Sequence, residues 1–502
     1  MQHARHPLLL AAALAVAGCT TGPAYQRPQV AAPARFHAAA AVAARAAPGA
    51  VDLVSWWRGF DDPTMVALVE EALRSNLDIA QAVARVQQAR AGLRAANAAL
   101  LPSGQLAANA TYQSASLDTP TGRALGAAPG FKRSTGLYDA SAGASWEPDV
   151  FGGLRNEQAA ARADYAGSRA AVSGARIAVA AQTAETYLTI RGLQQRIAVV
   201  TDQIEAQRRL VAIVDLQYRK GVAAELQLRQ AEGAYDQTAA TLPGLRIALE
   251  NATNALDVLT GQQPGTHRAG LAAAAAIPRT PAIADAGGPA DLLRRRPDLI
   301  AAEQRLIASN ARIGSALSEY YPKFSLSGLI GTATTAVGGL FGSSANQAQG
   351  VLGLRWRLFD FGRVDAEVAA ARGRDAEALA AYRLAVLRAS EDVENAFTAL
   401  VEREDQARTL THGETALVRA RAASLAAYKG GVVSLIEVLD AESRLLATRD
   451  AQVQAQVQSA LSAVAAFQAL GGGWSPADAA GPASPGTQAT SAAPRVPPAA
   501  AG

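Results

Sequence analysis

Few residues in this chain could carry catalytic or metal-binding chemistry, and those few are scattered. Cys19 is the only cysteine, which excludes a disulfide framework, a CxxC redox pair and a cysteine-rich zinc site. The five histidines stand at positions 3, 6, 37, 267 and 412, too far apart in sequence to indicate a metal cluster. The sequence also contains no HExxH, GxxxxGK(S/T) or GxSxG motif. We therefore predict that the protein is not an enzyme and holds no metal or cofactor.

The N-terminus offers one modification site. Arg5 precedes an apolar run from Leu8 to Val16, which is too short to span a bilayer but typical of a signal peptide. The run leads into Val16-Ala17-Gly18-Cys19, which resembles the bacterial lipobox and implies cleavage before Cys19 and acylation of that residue. The alternative is a plain secretory signal followed by a chance cysteine. We predict a signal peptide over residues 1–18 and a lipid on Cys19, and Thr20 in place of Asp implies the outer membrane.

Composition argues for long helices rather than an ordinary globular core. Of 502 residues, 50% are hydrophobic but only 5% are aromatic, and alanine is abundant. Small side chains let helix backbones approach closely, whereas compact cores are filled by larger ones. The formal net charge is only +4, which gives no reason to expect a nucleic-acid partner. No apolar run after the N-terminus reaches 18 residues, so we predict no transmembrane helix.

The chain contains an internal two-fold repeat. A shift of 210 residues aligns segment 146–261 with segment 356–471 without a gap, so that Trp146 meets Trp356 and Gly221 meets Gly431. Upstream of these segments the shift becomes 220, and the difference falls between about 110 and 145, where a loop can absorb it. We infer a tandem duplication.

Each repeat contains a proline-free stretch of about 65 residues, at 154–218 and at 363–428. A continuous helix of that length would measure roughly 97 Å. Apolar residues recur at spacings of 3, 4 and 7, which are typical of coiled coils. A glycine turn and a return helix follow each stretch, so we predict two antiparallel α-hairpins at 154–260 and 363–470. Pro243-Gly244 predicts a kink in the first return helix.

Four segments alternate apolar residues with polar or small ones, which predicts β-strands. They lie at about 104–118, 135–150, 323–337 and 347–360, and the Gly/Ser/Ala-rich stretches 119–130 and 338–349 are predicted to connect them in pairs. A soluble antiparallel sheet with one wet face is the alternative. We favour a membrane sheet because every other segment is committed to the hairpins. Four strands cannot close a barrel, whereas three copies of the chain would supply twelve.

These features divide the chain into consecutive segments. The tail is rich in Ala, Pro, Ser and Gly, a composition typical of disorder. The predicted organisation is a signal peptide at 1–18, a lipidated extended tether at 19–50, a first repeat at 51–261, a linker at 262–289, a second repeat at 290–473 and a disordered tail at 474–502.

Two groups of residues resemble those of a known family, the TolC-type outer membrane efflux factors, in their lipoprotein (RND efflux or NodT) branch. One group is Arg295-Arg296-Pro297-Asp298, Ala302-Glu303 and Pro322 with Ser325-Leu326 and Gly328; the other is Trp56-Trp57, Phe60, Asp62-Pro63, Met65 and Leu68. The resemblance covers about 52 to 473. It implies a homotrimer with a twelve-stranded outer membrane β-barrel, four strands per chain, continued by an α-helical coiled-coil tunnel into the periplasm.

The function implied by the resemblance is passive exit of drugs or other toxic solutes. An inner-membrane pump of the RND type would supply them through a periplasmic adaptor, the membrane fusion protein. Two alternatives remain open on the residues alone. One is the outer membrane duct of a protein secretion system, which shares the fold. The other is a periplasmic coiled-coil adaptor or scaffold without a pore, although an adaptor needs only one hairpin.

The resemblance also implies which residues act in the channel. In the family, two acidic residues on the helix after the second turn surround the closed aperture, and a tyrosine ties the inner hairpin to its neighbour. The matching residues here are Glu437, Asp440 and Tyr428, whereas the arginine often found five residues after the tyrosine is Val433. An ordinary solvated acidic face is the alternative for the acids. The residues expected to meet the adaptor are those of the two tips: Tyr218, Arg219, Lys220, Gly221, Lys429, Gly430 and Gly431.

Overall fold

The computed structural model describes residues 21–29, 35–45, 52–283 and 288–475. The predicted signal peptide, the predicted lipid site Cys19 and the predicted tail from residue 476 onward lie outside these residues. The helices are α1 (Ala39–Ala43), α2 (Pro63–Ser75), α3 (Leu77–Ala99), α4 (Pro120–Gly126), α5 (Gly153–Arg219), α6 (Glu225–Ala239), α7 (Leu242–Leu259), α8 (Pro289–Arg295), α9 (Pro297–Ser318), α10 (Arg363–Lys429) and α11 (Leu435–Ala469). The strands are β1 (Ser103–Ser114), β2 (Ser134–Trp146), β3 (Lys323–Thr334) and β4 (Asn346–Arg355).

The chain divides into two compact units, each built from parts of both repeats. Of the described residues, the first combines 21–29 with Gln81–Ala171 and Asp298–Arg388. The second combines 35–45, 52–80, 172–283, 288–297 and 389–475. In the part of the chain that the structure describes, no helix is both long enough and apolar enough to cross a membrane.

The first unit contains the predicted sheet, whose four strands pair antiparallel in the order β1-β2-β3-β4. Its register places Leu106 opposite Ala142, Ala142 opposite Ile330 and Ile330 opposite Ala348. Because side chains alternate between faces along a strand, the apolar residues picked out by the alternation share one face, whereas Leu137, Leu329 and Val351 lie on the other. The shared face is open: Leu106 is 88% exposed and Leu352 is 77% exposed. The predicted single apolar face is confirmed.

All four strands end earlier than predicted, and for β2 and β4 the reason lies in two equivalent tryptophans. The indole nitrogen of Trp146 donates to the Leu100 carbonyl, and that of Trp356 donates to the Tyr320 carbonyl, each at 3.0 Å. These bonds hold the chain against the preceding helix end, so β2 stops at Trp146 and β4 stops at Arg355. The apolar alternation that continues to residue 360 therefore does not form strand.

The two connecting loops also differ from the prediction. The stretch 119–130 contains α4, which begins after Thr119, whose hydroxyl accepts from the Gly122 amide at 3.0 Å. A β-carbon at Gly122 would lie 1.8 Å from the Ser116 carbonyl oxygen, so glycine is required there. In the second loop, residues 346–349 belong to β4 rather than to the connection.

The second unit contains the ends of both hairpins. α5 and α10 each run for 67 residues without interruption, as the absence of proline predicts. The first return helix is divided into α6 and α7 just before Pro243, whereas the second, α11, is continuous over 35 residues. The predicted kink is thus a break, because proline removes a helical hydrogen bond.

The predicted extended tether holds only in part, because both described parts of it are fastened to the rest of the chain and one of them contains a helix. Residues 21–29 are extended but fastened within the first unit, where the Thr21 hydroxyl donates to the Phe151 carbonyl at 2.8 Å and Arg27 pairs with Glu303 at 2.5 Å. Residues 35–45 contain α1 and pack in the second unit, where Phe36 contacts Phe397 edge-to-face. Phe36 is 3% exposed, so apolar burial holds this segment in place.

The predicted linker 262–289 is anchored rather than free where it is described, up to residue 283. Arg191, Gln194 and Gln195 on α5 donate to the carbonyls of Ala273, Leu271 and Ala275 respectively. Side chains that bind backbone carbonyls do not depend on the linker's own side chains, which explains why an alanine-rich stretch can be held there.

The boundary of the predicted tail also needs correction. Trp474, assigned to the disordered tail, is 8% exposed, and its indole nitrogen donates to the Arg295 carbonyl at 2.9 Å. Gly473 donates its amide to the Leu53 carbonyl at 2.8 Å. The packed part of the second unit therefore includes Trp474.

Candidate functional site

The candidate site is the end of the two hairpins, where the same turn occurs twice. α5 is followed by Gly221 at φ +73° and α10 by Gly431 at φ +74°. Each glycine amide donates to a tyrosine carbonyl three residues earlier, Tyr218 at 2.9 Å and Tyr428 at 3.0 Å. Only glycine adopts this left-handed conformation without strain, so the repeated glycines form the turns.

All the predicted docking residues lie at these turns and are exposed to solvent. Arg219 forms an ion pair with Asp215 at 2.9 Å within α5. Sequence reasoning missed the apolar side chains beside them, although the repeat alignment had already paired two of them. These are Val222 and Val432, 77% and 80% exposed, and Leu226 and Ile436, 66% and 61% exposed. Each tip therefore presents a basic residue next to two equivalent apolar side chains.

The predicted gate acids lie in the first turns of α11, both exposed and each with a partner on its own chain. Glu437 accepts a hydrogen bond from the Ser434 hydroxyl, and this bond lowers the pKa of the Glu437 carboxyl. Asp440 pairs with Arg444, one turn further along α11, at 2.8 Å. The spacing from Asp440 to Arg444 is visible in the sequence, but the prediction did not include the arginine.

Tyr428 is placed differently from its equivalent Tyr218, so the duplication is broken here. Tyr428 is 9% exposed and packs with Leu210, Val214 and Val438. Its hydroxyl donates to the Gln217 side-chain oxygen at 2.7 Å, which joins the second hairpin to the first. Burial raises the pKa of the Tyr428 hydroxyl, so it remains a donor at neutral pH. Tyr218 is 41% exposed.

A second contact between the hairpins centres on Glu442, which the site prediction did not include. Glu442 is 2% exposed and accepts from Arg421 at 3.3 Å and from Gln203 at 3.3 Å. Burial raises the pKa of the Glu442 carboxyl, and the bonds from Arg421 and Gln203 oppose this without cancelling it. The equivalent Glu232 pairs with Arg229 on an exposed surface, so the repeat alone does not reveal the buried acid.

The motifs that carry the family resemblance are structural. Asp62 accepts hydrogen bonds from the amides of Thr64 and Met65 at 2.9 and 3.0 Å. It therefore caps α2, whose first residue is Pro63. The Arg296 guanidinium donates to the Ala469 carbonyl near the end of α11, and it pairs with Asp392. These residues fix where helices begin and end, and none of them lies at the tips.

The chain matches a known protein family. The profile of the outer membrane efflux protein family matches residues 68–262 and 288–472. The chain belongs to this family. It is an efflux channel of the bacterial outer membrane, with a TolC-like fold.

Individual relatives agree over nearly the whole chain. Outer membrane protein OprJ of Pseudomonas aeruginosa is 30% identical over 92% of this chain and 94% of its own length. The pyoverdine export outer membrane protein OpmQ of Pseudomonas putida is 31% identical over 94% of this chain and 98% of its own length. The structure of the outer-membrane channel OprN superimposes with a TM-score of 0.81 at 31% identity, covering 91% of this chain and all of OprN.

Proposed function

We propose that three copies of this chain close one twelve-stranded barrel and form a passive exit duct for small toxic solutes. An inner-membrane pump, of the RND type, supplies the solutes through a periplasmic adaptor, and the channel itself catalyses no reaction. The observation that carries the proposal is the four-stranded sheet with one exposed apolar face and two unpaired edges.

The unpaired edges of the sheet indicate that other copies of the chain pair with it. Among the described strands, β1 and β4 each have one neighbour only. Unpaired backbone groups are not tolerated in the hydrocarbon of a bilayer, so another chain must pair with each edge. Three copies give twelve strands, an even number within the range of bacterial barrels.

The internal repeat supplies the register of the missing pairing. The β2–β3 interface joins repeat one to repeat two and pairs Ala144 with Gly328. The shifts of 210 and 220 convert this pair into Leu354 of one copy opposite Ala108 of the next. The β4 edge would then meet the β1 edge of the neighbour just as β2 meets β3.

A ring contact next to the sheet also indicates that the interface between copies is equivalent to the β2–β3 interface. Phe151 stacks on Tyr321 with ring centroids 4.7 Å apart. The equivalent residues, Phe361 and Leu101, are 102% and 64% exposed within one chain. Exposed large apolar side chains are typical of an interaction surface. A second copy would cover these two side chains in the way that Phe151 and Tyr321 cover each other within one chain.

We assign the periplasmic gate to the second hairpin. Three copies would bring six carboxylates, from Glu437 and Asp440, around one axis, and rings of acid bind divalent cations and select cations. Tyr428 would hold the second hairpin against the first while the aperture is closed. The exposed tips would bind the adaptor, with Val222 and Val432 as apolar contacts beside the basic residues.

We also infer that a lipid on Cys19 anchors the chain to the outer membrane. Thr21, two residues further on, is fastened to the Phe151 carbonyl just below β2. The anchor would thus reach the bilayer beside the strands. Removal of the cysteine by Cys19→Ala should leave the fold intact but reduce the labelling of the protein by radioactive palmitate.

The proposed function is tested with the full chain expressed in its native membrane. A trimer mass in detergent, conductance in planar bilayers and greater accumulation of toxic dyes in cells that lack the gene would support it. A monomer that neither leaks ions from liposomes nor changes dye accumulation would overturn it. Export of a polypeptide without any effect on small solutes would favour a secretion duct instead.

A further inference from the structure

The face of the sheet opposite the apolar one is largely polar and carries few charges, although Leu137, Leu329 and Val351 also lie on it. The strand register places Gln105, Asn109 and Asp139 on this face, together with Ser141 and Gln349. Of the charged residues in the four described strands, Lys323 and Arg355 stand at strand ends, and Asp139 stands in the middle of β2. Asp139 is therefore the only charged residue in the interior of the four described strands, and the two basic residues of this face stand at its end.

The surroundings of Asp139 leave its charge uncompensated. Asn109, directly opposite on β1, donates its side-chain amide to the Asp139 carboxylate at 3.0 Å, and Ala333 faces Asp139 on β3. Within the residues that the structure covers, no basic side chain pairs with it. A strand rises about 3.3 Å per residue, so Arg133 lies about 20 Å from Asp139 along the chain. The pair formed by Lys323 and Arg355 lies about 33 Å from Asp139 along the strands.

At those distances the basic residues have only a weak electrostatic effect on Asp139. The screening length is about 10 Å at 0.1 M salt, so charges about 20 to 33 Å away have little effect on Asp139. Lys323 is also paired with Glu319, which reduces its field further. The hydrogen bond from Asn109 holds the carboxylate in place without neutralising it.

We propose that Asp139 is the residue that makes the barrel lumen favour cationic over anionic solutes. The inference rests on the proposed trimer, in which the polar face must line the lumen because the apolar face meets lipid. Twelve strands spaced by about 4.8 Å and tilted by about 40° give a backbone radius of about 12 Å. Three carboxylates reaching inward from that wall lie within about one screening length of the axis at 0.1 M salt.

The repeat shows that this charge is specific to one half of the sheet. The position equivalent to Asp139 is Gln349, a neutral residue on β4. The lumen would thus alternate acid and amide around its circumference, with three negative charges in total. A ring of acids favours cations, as in other channels.

The test measures the ratio of cation to anion permeability from reversal potentials across planar bilayers in a salt gradient around 0.1 M. Asp139→Asn keeps the shape and the acceptor for Asn109 but removes the charge, and should lower the ratio at least about twofold. Asp139→Arg should shift the preference toward anions, and Asp139→Glu should retain it. Asp118→Asn, in the exposed loop between the same strands, is the matched control and should leave the ratio unchanged.

The periplasmic gate also carries acids, so the measurement is repeated with Glu437→Ala and Asp440→Ala present. In that background any remaining cation preference comes from elsewhere in the channel. An Asp139→Asn channel that conducts with the parental ratio in both backgrounds overturns the inference and leaves the proposed channel intact. A parental chain that forms no conducting trimer overturns both.

Chemical labelling provides a second readout that does not depend on how well the charge variants fold. Asp139→Cys in the assembled protein should react with both a cationic and an anionic water-soluble thiol reagent, because the position faces the lumen and the substitution itself removes the charge. Ala140→Cys, the next residue on the opposite face, should resist both reagents in membranes. The unmodified chain, whose only cysteine is Cys19, sets the background. Equal reactivity at the two positions would overturn the assignment of Asp139 to the lumen.

Discussion

At the scale of single residues, the hairpin ends show how a duplicated sequence acquires two roles. Tyr218 and Tyr428 occupy equivalent positions, yet one is open to solvent and the other is buried and bonded to Gln217. Glu232 and Glu442 differ in the same way. In both pairs the buried member belongs to the second hairpin, which we assign to the gate. Three predictions concern single side chains near the hairpin ends.

The first concerns the acids of the proposed gate. Replacing Glu437 and Asp440 together by alanine should raise ion conductance in planar bilayers and weaken block by divalent cations, because the ring that binds those cations is removed. The control replaces Glu225 and Glu232, acids of the first hairpin that both pair with Arg229, and should leave conductance unchanged. Unaltered conductance and block in the Glu437/Asp440 variant would remove these residues from the gate.

The second concerns the bond between hairpins. Tyr428→Phe leaves the Gln217 oxygen without its donor and should lower the free energy of unfolding by roughly 1 kcal/mol. Tyr218→Phe, at the equivalent exposed position, should change it by less than about 0.5 kcal/mol. Denaturant titration of both variants provides the measurement, and equal effects would argue against a structural role for the Tyr428 hydroxyl.

The third concerns pH. Because the pKa of Glu442 is raised in the folded protein, the folded state binds its proton more tightly than the unfolded state does. The resulting stabilisation is present below the unfolded value of 4.5 and is lost as the pH rises through the higher folded value. Glu442→Gln mimics the protonated acid, so its loss of melting temperature between pH 5 and pH 7.5 should be smaller than that of the wild type. Glu232→Gln is the control, and a slope for Glu442→Gln as steep as the wild type's would contradict the assignment.

At the scale of elements, glycines and aromatic residues set where helices and strands end. Gly261 and Gly471 close the return helices with a left-handed backbone, and a β-carbon there would lie 2.6 Å from the Ser75 carbonyl oxygen and 2.7 Å from that of Arg295. Trp146 and Trp356 terminate equivalent strands in the same manner. The duplication is thus preserved most closely at element boundaries.

At the hairpin tips, the need for a glycine with a left-handed backbone can be tested without a steric clash. A β-carbon at Gly431 would meet no atom within 4 Å, so Gly431→Ala should cost only the left-handed backbone energy, roughly 1–2 kcal/mol. The neighbouring Gly430 does not have a positive φ, and Gly430→Ala should be close to neutral. The measurement is the free energy of unfolding, and equal values for the two variants would show that Gly431 φ does not limit the turn.

At the scale of the whole molecule, the repeat predicts how copies assemble. Cysteines at Leu354 and Ala108 should form disulfides between copies, because the repeat rule places them opposite each other. Within one chain they lie on opposite edges of the sheet, where Ala108 is level with Asn346 rather than Leu354. Three strand spacings and eight residues along the strand separate them by about 30 Å, beyond the reach of a disulfide. Oxidation should therefore yield covalent trimers on non-reducing gels.

The matched control moves one cysteine by one strand period, to Ala110, with Leu354→Cys retained. It should cross-link far less, because the partner is then about 7 Å further along the strand. Equal yields from both pairs would show that the register differs from that of β2 and β3, while an absence of cross-links in a demonstrated trimer would show that other edges meet.

The sequence alone determined the duplication, the proline-free long helices, the glycine turns and the four alternating strands, because periodicity and chain-breaking residues act locally. The exposed tips with Gly221 and Gly431 followed from the same local rules. Tertiary structure alone decided what local patterns do not encode: that Tyr428 and Glu442 are more deeply buried than their equivalents, that Trp474 packs against Arg295, and that the strands stop at Trp146 and Arg355. Each of these depends on which distant segment lies alongside, and packing against that segment outweighs the preference that the residue shows in sequence.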